Sequence, residues 1–399
     1  MKKHLVMIVG GYFPLPSPTG KCADQYISLV EDAYTVDVIC IAKHTNKSYQ
    51  YNKKTVFPVG CKYVYMQGRV SNRILRVGSK ILLRIWNSFH QPNNLNWYVK
   101  AANRKLKEIN DEKNIDLIFS IGAPMASHCA AMRFKSLYPK VRWVTYSADS
   151  YAAQNSNRRR ALRFEKKVLS QADYNLLSEE IYKNNPFLYQ DNPNRFGTLP
   201  YLLPKVKCQI GKISHVDFDK INIVYAGSFY KKIRNPLFLL ETFMCTKSDA
   251  VLHLFCTSDC DELIDQIVKK SCGKIVRHKP VDAEEIGGVY SAANILVSVG
   301  NSLPEFKPSK IFEYIATGKP IMNVFYDGLR DEILDEYPLA IQICNSEEKM
   351  IAAEQMDAFI LANAFKNVAI DEINGKFKKH TQASITTVLS NALNGVVGE

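Results

Sequence analysis

Leu5-Val6-Met7-Ile8-Val9-Gly10-Gly11-Tyr12-Phe13-Pro14-Leu15-Pro16-Ser17-Pro18-Thr19-Gly20 is the stretch that decides the fold. Five apolar residues read as a buried strand, and a loop with glycine at both ends and proline between follows at once. A helical pattern over about 23–31 and an apolar run over 36–41 come next. Strand, loop, helix and strand in that order begin a parallel α/β sheet. The Met1-Lys2-Lys3 start resembles the charged end of a signal peptide. Its apolar run is too short and meets glycine too soon, so a first strand is expected instead. Thr19-Gly20-Lys21 invites a nucleotide-triphosphate loop, but Leu15 and Cys22 stand where that motif needs glycine and a hydroxyl.

Working outward, strand patterns recur at 117–121, 143–146 and 174–177. Prolines 193, 200 and 204 mark a linker over 192–211. A second strand series follows at 221–225, 250–255, 274–277, 295–299 and 321–325, with helical spacing between most of them. The expected architecture is therefore two successive α/β domains with a cleft between them. Residues 1–205 and 206–375 form the domains, and 376–399 carry a terminal helix that packs back across them.

The chain has 399 residues, 46% of them hydrophobic and 23% charged, ordinary values for a globular protein. No apolar run reaches the roughly 18 residues of a spanning helix. Ten scattered cysteines without a Cys-x-x-Cys pair point to free thiols in a reducing compartment. His253, Cys256, Cys260, Cys272 and His278 match no zinc spacing, and no metal is expected there. Residues 38 to 107 hold 14 Lys or Arg and no Asp or Glu. That segment accounts for the whole net charge of +13, so the basic surface belongs to the N-terminal half. Within it, Arg73, Arg76, Lys80 and Arg84, with Arg69, fall on one side of a helical wheel, opposite Ile81, Ile85 and Trp86. Such a helix suits an anionic membrane surface, with packing on the sheet as the alternative. The aromatic residues lie away from the basic face, so no nucleic-acid platform is formed.

Chemistry concentrates in the second series. Pro304-Glu305-Phe306-Lys307-Pro308-Ser309-Lys310-Ile311-Phe312-Glu313 leads into a helix that Gly318-Lys319-Pro320 stops. A helix start suits a phosphate, and carboxylates beside it suit sugar hydroxyls. Tyr225-Ala226-Gly227-Ser228-Phe229, followed by Lys231, Lys232 and Arg234, offers a glycine turn with cations for a diphosphate. A plain strand–helix turn with solvated charges is the alternative. In the first series, Gly11 and Gly20 can line a cleft, and Asp149 follows a strand whose end faces it. His128 opens a helix. Capping or packing roles compete for both Asp149 and His128.

On these residues the chain resembles the retaining GT-B glycosyltransferases of bacterial polysaccharide and lipid-linked glycan synthesis, the glycosyltransferase family 4-like group. The Glu-x7-Glu pair, the glycine turn with Arg234, and Gly318-Lys319-Pro320 carry the likeness. The resemblance implies a metal-independent hexosyltransferase with no cofactor, using a UDP- or GDP-sugar. The acceptor would be a glycan or polyprenyl-linked glycan of capsule, exopolysaccharide or O-antigen type. The enzyme would be cytoplasmic and peripheral to the inner face of the membrane. Glu313 would bind the donor ribose, Glu305 the transferred sugar, Arg234 the diphosphate, and Asp149 the sugar from the acceptor side. Gly227, Ser228, Lys232, Ser309 and Lys310 would complete the donor site. Ser228 stands where many members have arginine, and Pro308 where many have glycine, which shifts phosphate binding toward Ser309 and Lys310. A GT-B epimerase or phosphorylase, or an inactive nucleotide-sugar-binding partner, is the alternative.

Overall fold

The structure is a computed structural model that describes residues 2–14, 16–42, 47–60, 95–155, 157–205, 220–281, 285–304 and 309–396. Glu305, Arg73, Arg76, Lys80 and Arg84 lie outside the described residues, as does Pro308. The chain divides into two compact units, Met1–Pro200 with Gln382–Glu399, and Tyr201–Thr381.

The first unit's strands, in chain order, are Lys3–Ile8 (β1), Tyr34–Ile41 (β2), Tyr49–Tyr51 (β3), Lys54–Val59 (β4), Leu117–Ile121 (β5), Arg142–Ser147 (β6), Tyr174–Leu177 (β7) and Phe196–Thr198 (β8). Among the described residues they make one sheet ordered β3-β4-β2-β1-β5-β6-β7-β8, parallel except for β3. The second unit contributes Asn222–Phe229 (β9), Val251–Ser258 (β10), Ile275–His278 (β11), Ile295–Val299 (β12), Ile321–Phe325 (β13) and Ala340–Cys344 (β14). These form a fully parallel sheet ordered β11-β10-β9-β12-β13-β14.

Side chains alternate across a strand, so a strand buried on both faces feeds two cores. Strand β9 does this. Ile223 and Tyr225 join a core with Leu240, Phe243 and Met356, while Val224 and Ala226 join another with Ile311, Phe312 and Ile315. Such strands read as continuous apolar runs, which is why the sequence marks them.

The sequence reading needs correction at the margins. Residues 196–198 are not linker but β8, held because Phe196 packs with Leu169, Leu177, Ile181 and Leu188. Strands β3, β4 and β14 also escaped notice. In β4, Pro58 argues against a strand and Lys54 is fully buried, its ammonium paired with Asp24 at 3.2 Å and Glu31 at 2.8 Å. Residues 201–205 and 376–381 go with the second unit, because Tyr201, Leu203 and Phe377 share the core of Phe312 and Ile315. The terminal helix Gln382–Asn394 belongs to the first unit. Tyr34 donates to Asn394 Oδ1 at 3.2 Å, and Arg142 donates to the Ala392 carbonyl at 2.9 Å.

The helix after the glycine loop starts earlier than the apolar spacing suggests, at Pro18 rather than near residue 23. Ser17 caps it, accepting from Gly20 N at 3.1 Å, and Pro18 fills a first-turn position where its missing N–H costs nothing. Gly20 is thus inside the helix. Gly11 and Gly20 face each other: a Cβ built on Gly20 would lie 1.8 Å from the Gly11 carbonyl oxygen.

Candidate functional site

The second sheet opens where its topology reverses. From β9 the chain runs outward through β10 and β11, then returns to place β12 on the other side of β9. Ligands in open parallel sheets bind beyond the carboxyl ends of the strands at such a switch point. Strand β9 pairs with β12 only over residues 223–225, yet stays paired with β10 as far as Phe229. Beyond Tyr225 the helix Lys310–Ala316 takes over the freed backbone. Lys310 Nζ donates to the Ala226 carbonyl at 2.7 Å, and Ala226 N donates to the Tyr314 hydroxyl at 3.3 Å. The lysine cation and Glu313 are thereby held at the opening.

Glu313 accepts from the Tyr290 hydroxyl at 2.7 Å. Burial, and then the Glu313 carboxylate beside it, push the Tyr290 pKa far up, so Tyr290 is a permanent donor that fixes the carboxylate. At the helix end, Gly318 adopts φ +77° and donates to the Ile315 carbonyl at 3.0 Å, as the sequence stop requires. The described helix is only seven residues long, so its dipole is small and cationic side chains carry the anion-binding capacity.

Arg234 completes the group. The chain turns back after β9, with Tyr230 and Arg234 exchanging backbone hydrogen bonds of 3.0 and 2.8 Å. Three contacts dock this turn: Lys231 N to Asp259 Oδ1 at 2.6 Å, Ser302 N to the Ile233 carbonyl at 2.8 Å, and Asn235 N to the Tyr326 hydroxyl at 2.9 Å. The guanidinium is then aimed by Nε donating to Asn301 Oδ1 at 3.0 Å and Nη1 to the Ser228 carbonyl at 3.4 Å. Ser228 Oγ lies 2.7 Å from Thr257 Oγ1 at the end of β10. Lys232 is exposed on the turn, and Ser309 precedes Lys310 at the helix start.

Gly227 has a packing role that the sequence reading did not include. Residues 225, 227 and 229 share one strand face. The Tyr225 and Phe229 rings stack over the glycine at 4.0 Å, and a Cβ there would lie 3.0 Å from the Tyr225 hydroxyl. Asn301, Tyr290 and Tyr326 also went unread. Asn301 alone carried a signal, since it follows Gly300 at the end of an apolar strand.

The first unit has its own cavity, of about 150 Å³, beyond the ends of β5 and β6. Gly122, Pro124, Ser147, Asp149, Tyr151 and Glu165 contribute to its wall. Burial, reinforced by the charge of Glu180, pushes the Asp149 carboxyl up to about 6. His128, expected at a cleft, is instead fully buried between Ser120 Oγ at 2.8 Å and Ser147 Oγ at 3.1 Å. Trp143 Nε1 donates to the same Ser120 hydroxyl at 2.7 Å. A ring so enclosed cannot shed its desolvation cost, and burial lowers its pKa to about 3.

That shift carries a sign. The unfolded chain takes up the His128 proton near pH 6.5 while the folded chain does not, so stability falls as pH drops below 6.5. Each pH unit costs about 1.4 kcal/mol for one such group. Unfolding free energies from denaturant titrations at pH 7 and pH 5 should differ by roughly 2 kcal/mol less in His128→Gln than in the wild type. Equal differences would show that His128 is not the buried neutral base.

Two parallel-sheet units with this topology define the GT-B glycosyltransferase fold, and solved structures agree. Sucrose-phosphate synthase from Thermosynechococcus elongatus matches with TM-score 0.71 and 13% identity, covering 99% of both chains. The apo lipopolysaccharide outer core galactosyltransferase WaaB matches with TM-score 0.61 and 11% identity, over 98% of this chain and 99% of its own. Anabaena HepE, solved with UDP and glucose, matches with TM-score 0.65 and 10% identity, over 98% and 100%. At these identities the likeness is one of fold. No family model and no curated protein matches the sequence.

Proposed function

We propose that the protein is a retaining, metal-independent glycosyltransferase that moves a hexose from a UDP- or GDP-sugar to a glycan or polyprenyl-linked glycan. The observation that carries this reading is the convergence of Arg234, Lys310 and Glu313 at the β9/β12 switch point, each held by a named partner. Two cations and a carboxylate are what a nucleotide-sugar asks for. The cations balance the diphosphate, and the carboxylate accepts from the ribose hydroxyls.

Arg234 and Lys310 stabilise the charge that grows on the diphosphate as the sugar–phosphate bond breaks. The acceptor hydroxyl forms the new bond from the same face, and its proton leaves with the departing phosphate oxygen. From the resemblance, Glu305 is assigned to the transferred sugar and Asp149 to the acceptor side. Capsule, exopolysaccharide or O-antigen synthesis is the setting proposed from the resemblance. Contact with an anionic membrane surface through Arg73, Arg76, Lys80 and Arg84 is proposed from the sequence of 69–89. Among the described residues no helix is long and apolar enough to cross a membrane.

UDP and GDP are the direct probes. At 100-fold excess over Kd, the nucleotide that fits stabilises the fold by about 2.7 kcal/mol, a shift of several degrees in thermal midpoint. Adding UDP- and GDP-hexoses then tests turnover by release of the nucleotide. No shift with either nucleotide would end the nucleotide-sugar reading. Binding without release, with or without glycan acceptors, would favour the inactive binding partner, and rearranged sugar without acceptor would favour the epimerase.

A further inference from the structure

We propose that Glu165 is a positioning residue that clamps the segment 150–153 and thereby sets the Asp149 carboxyl beside it; the consequence for transfer rests on the acceptor-side role of Asp149. Helix Arg158–Leu169 turns two very different faces outward and inward. Arg158, Arg159, Arg160, Arg163 and Lys167 are exposed, whereas Glu165 has no exposed surface at all. Its carboxylate is spent on one short piece of backbone. Oε1 accepts from Tyr151 N at 3.0 Å, and Oε2 accepts from Ala152 N at 3.1 Å and Ser150 Oγ at 3.4 Å. Ser150 Oγ in turn accepts from Ala153 N at 3.3 Å. These are the amides that open the 3-10 turn Ala152–Gln154, directly after Asp149.

A carboxylate is the group this arrangement requires. An amide in its place has one acceptor oxygen and would set its NH2 against an N–H. Burying a charge to hold a loop is costly, and three donors on two oxygens offset that cost. Glu165 and Asp149 line the same cavity, so the clamp lies at the wall it shapes.

Protonation is then the natural way to loosen it, because each oxygen already faces an N–H. Burial raises the Glu165 carboxyl to about 7, and the hydrogen bonds from Tyr151, Ala152 and Ser150 oppose that rise. Tyr151 faces Glu165 and has a raised pKa. Cys129 on helix Met125–Leu137 lies near Tyr151; its thiol is pushed up to about 12 despite Arg133. Asp149, raised to about 6, stands on the cavity wall with Glu180 beyond it.

Hydrogen exchange on the full chain tests this without knowledge of the substrates. After correction for intrinsic rates, protection of the Tyr151 and Ala152 amides should rise about tenfold as pH increases through 7. In Glu165→Gln it should be lower and flat with pH. A flat wild-type profile, or a Glu165→Gln profile like the wild type, overturns the clamp. The wild-type profile decides the matter even if the variant does not fold. UDP and GDP binding by calorimetry on the same sample separates the two readings. Missing nucleotide binding with the pH profile intact counts against the transferase and for the clamp. A missing profile with nucleotide binding intact does the reverse.

Discussion

Arg234→Ala is expected to lower nucleotide-sugar turnover by about 10²–10³-fold, the usual loss when one preorganised charge-stabilising donor is removed. The size follows from how the side chain is held. Asn301 and the Ser228 carbonyl fix the guanidinium plane, and the turn that carries it is docked against Asp259, Ser302 and Tyr326. Little reorganisation is then needed when charge appears on a diphosphate. Arg234→Lys should recover only part of the rate, because a lysine keeps the charge but loses the fork that Asn301 aims. The measurement is kcat/KM for the nucleotide-sugar that the UDP and GDP screen identifies, with the unliganded thermal midpoint as a control. Wild-type turnover in a folded Arg234→Ala protein would remove Arg234 from the donor site. Glu313→Ala tests the other half. Its main loss should appear in nucleotide affinity, since Tyr290 holds that carboxylate ready for hydroxyls whether or not bonds are breaking.

Gly20→Ala should destabilise the first unit by on the order of 3–5 kcal/mol, at the upper end for one methyl group. The added Cβ would meet the Gly11 carbonyl oxygen at 1.8 Å and its carbon at 3.0 Å. That carbonyl cannot simply swing away, because it accepts from Ser17 N at 3.3 Å and Ser17 Oγ at 3.2 Å. Gly10 is pinned too: its carbonyl accepts from Ile41 N at 2.8 Å, and its Cα faces Pro124 Cδ, 2.5 Å from where a Cβ would sit. Gly375→Ala is the contrasting substitution. It lies in helix Ile370–Lys376 with nothing within 4 Å of a built Cβ, so it should be neutral or stabilising by up to about 1 kcal/mol. Chemical denaturation of both variants checks the pair. A wild-type midpoint for Gly20→Ala would mean that the helix and the loop are not in contact as described.

These outcomes separate what was readable in the chain from what was not. The other inner strands were legible because both their faces are buried, which forces unbroken apolar runs such as 5–9 and 295–299, whereas in the inner strand β4 the buried Lys54 and Pro58 break that run. Strands β3, β8 and β14 lie at sheet edges, where one flank lacks a partner strand and the composition need not be apolar. The stop at Gly318 was legible because a left-handed residue demands glycine. The start at Pro18 was missed because its cap, Ser17, hides within a proline-rich loop.

The site divides along the same line. Residue type and spacing marked Arg234, Glu313 and Asp149 as candidates for chemistry, and the family resemblance added Lys310, since charge and hydrogen-bonding capacity are properties of the side chain itself. Which of them are held, and by what, depended on contacts between residues far apart in sequence. Asn301 meets Arg234, Tyr290 meets Glu313, and Glu165 meets the backbone after Asp149 only once the sheets have formed. The same packing took His128 out of contention, because burial between two serines is set by the surrounding strands and not by the histidine. The loop from Gly10 to Gly20, which marked the fold at the outset, follows this pattern. Its glycines were visible in the sequence, but only the packed helix shows that they are there to let two backbones touch.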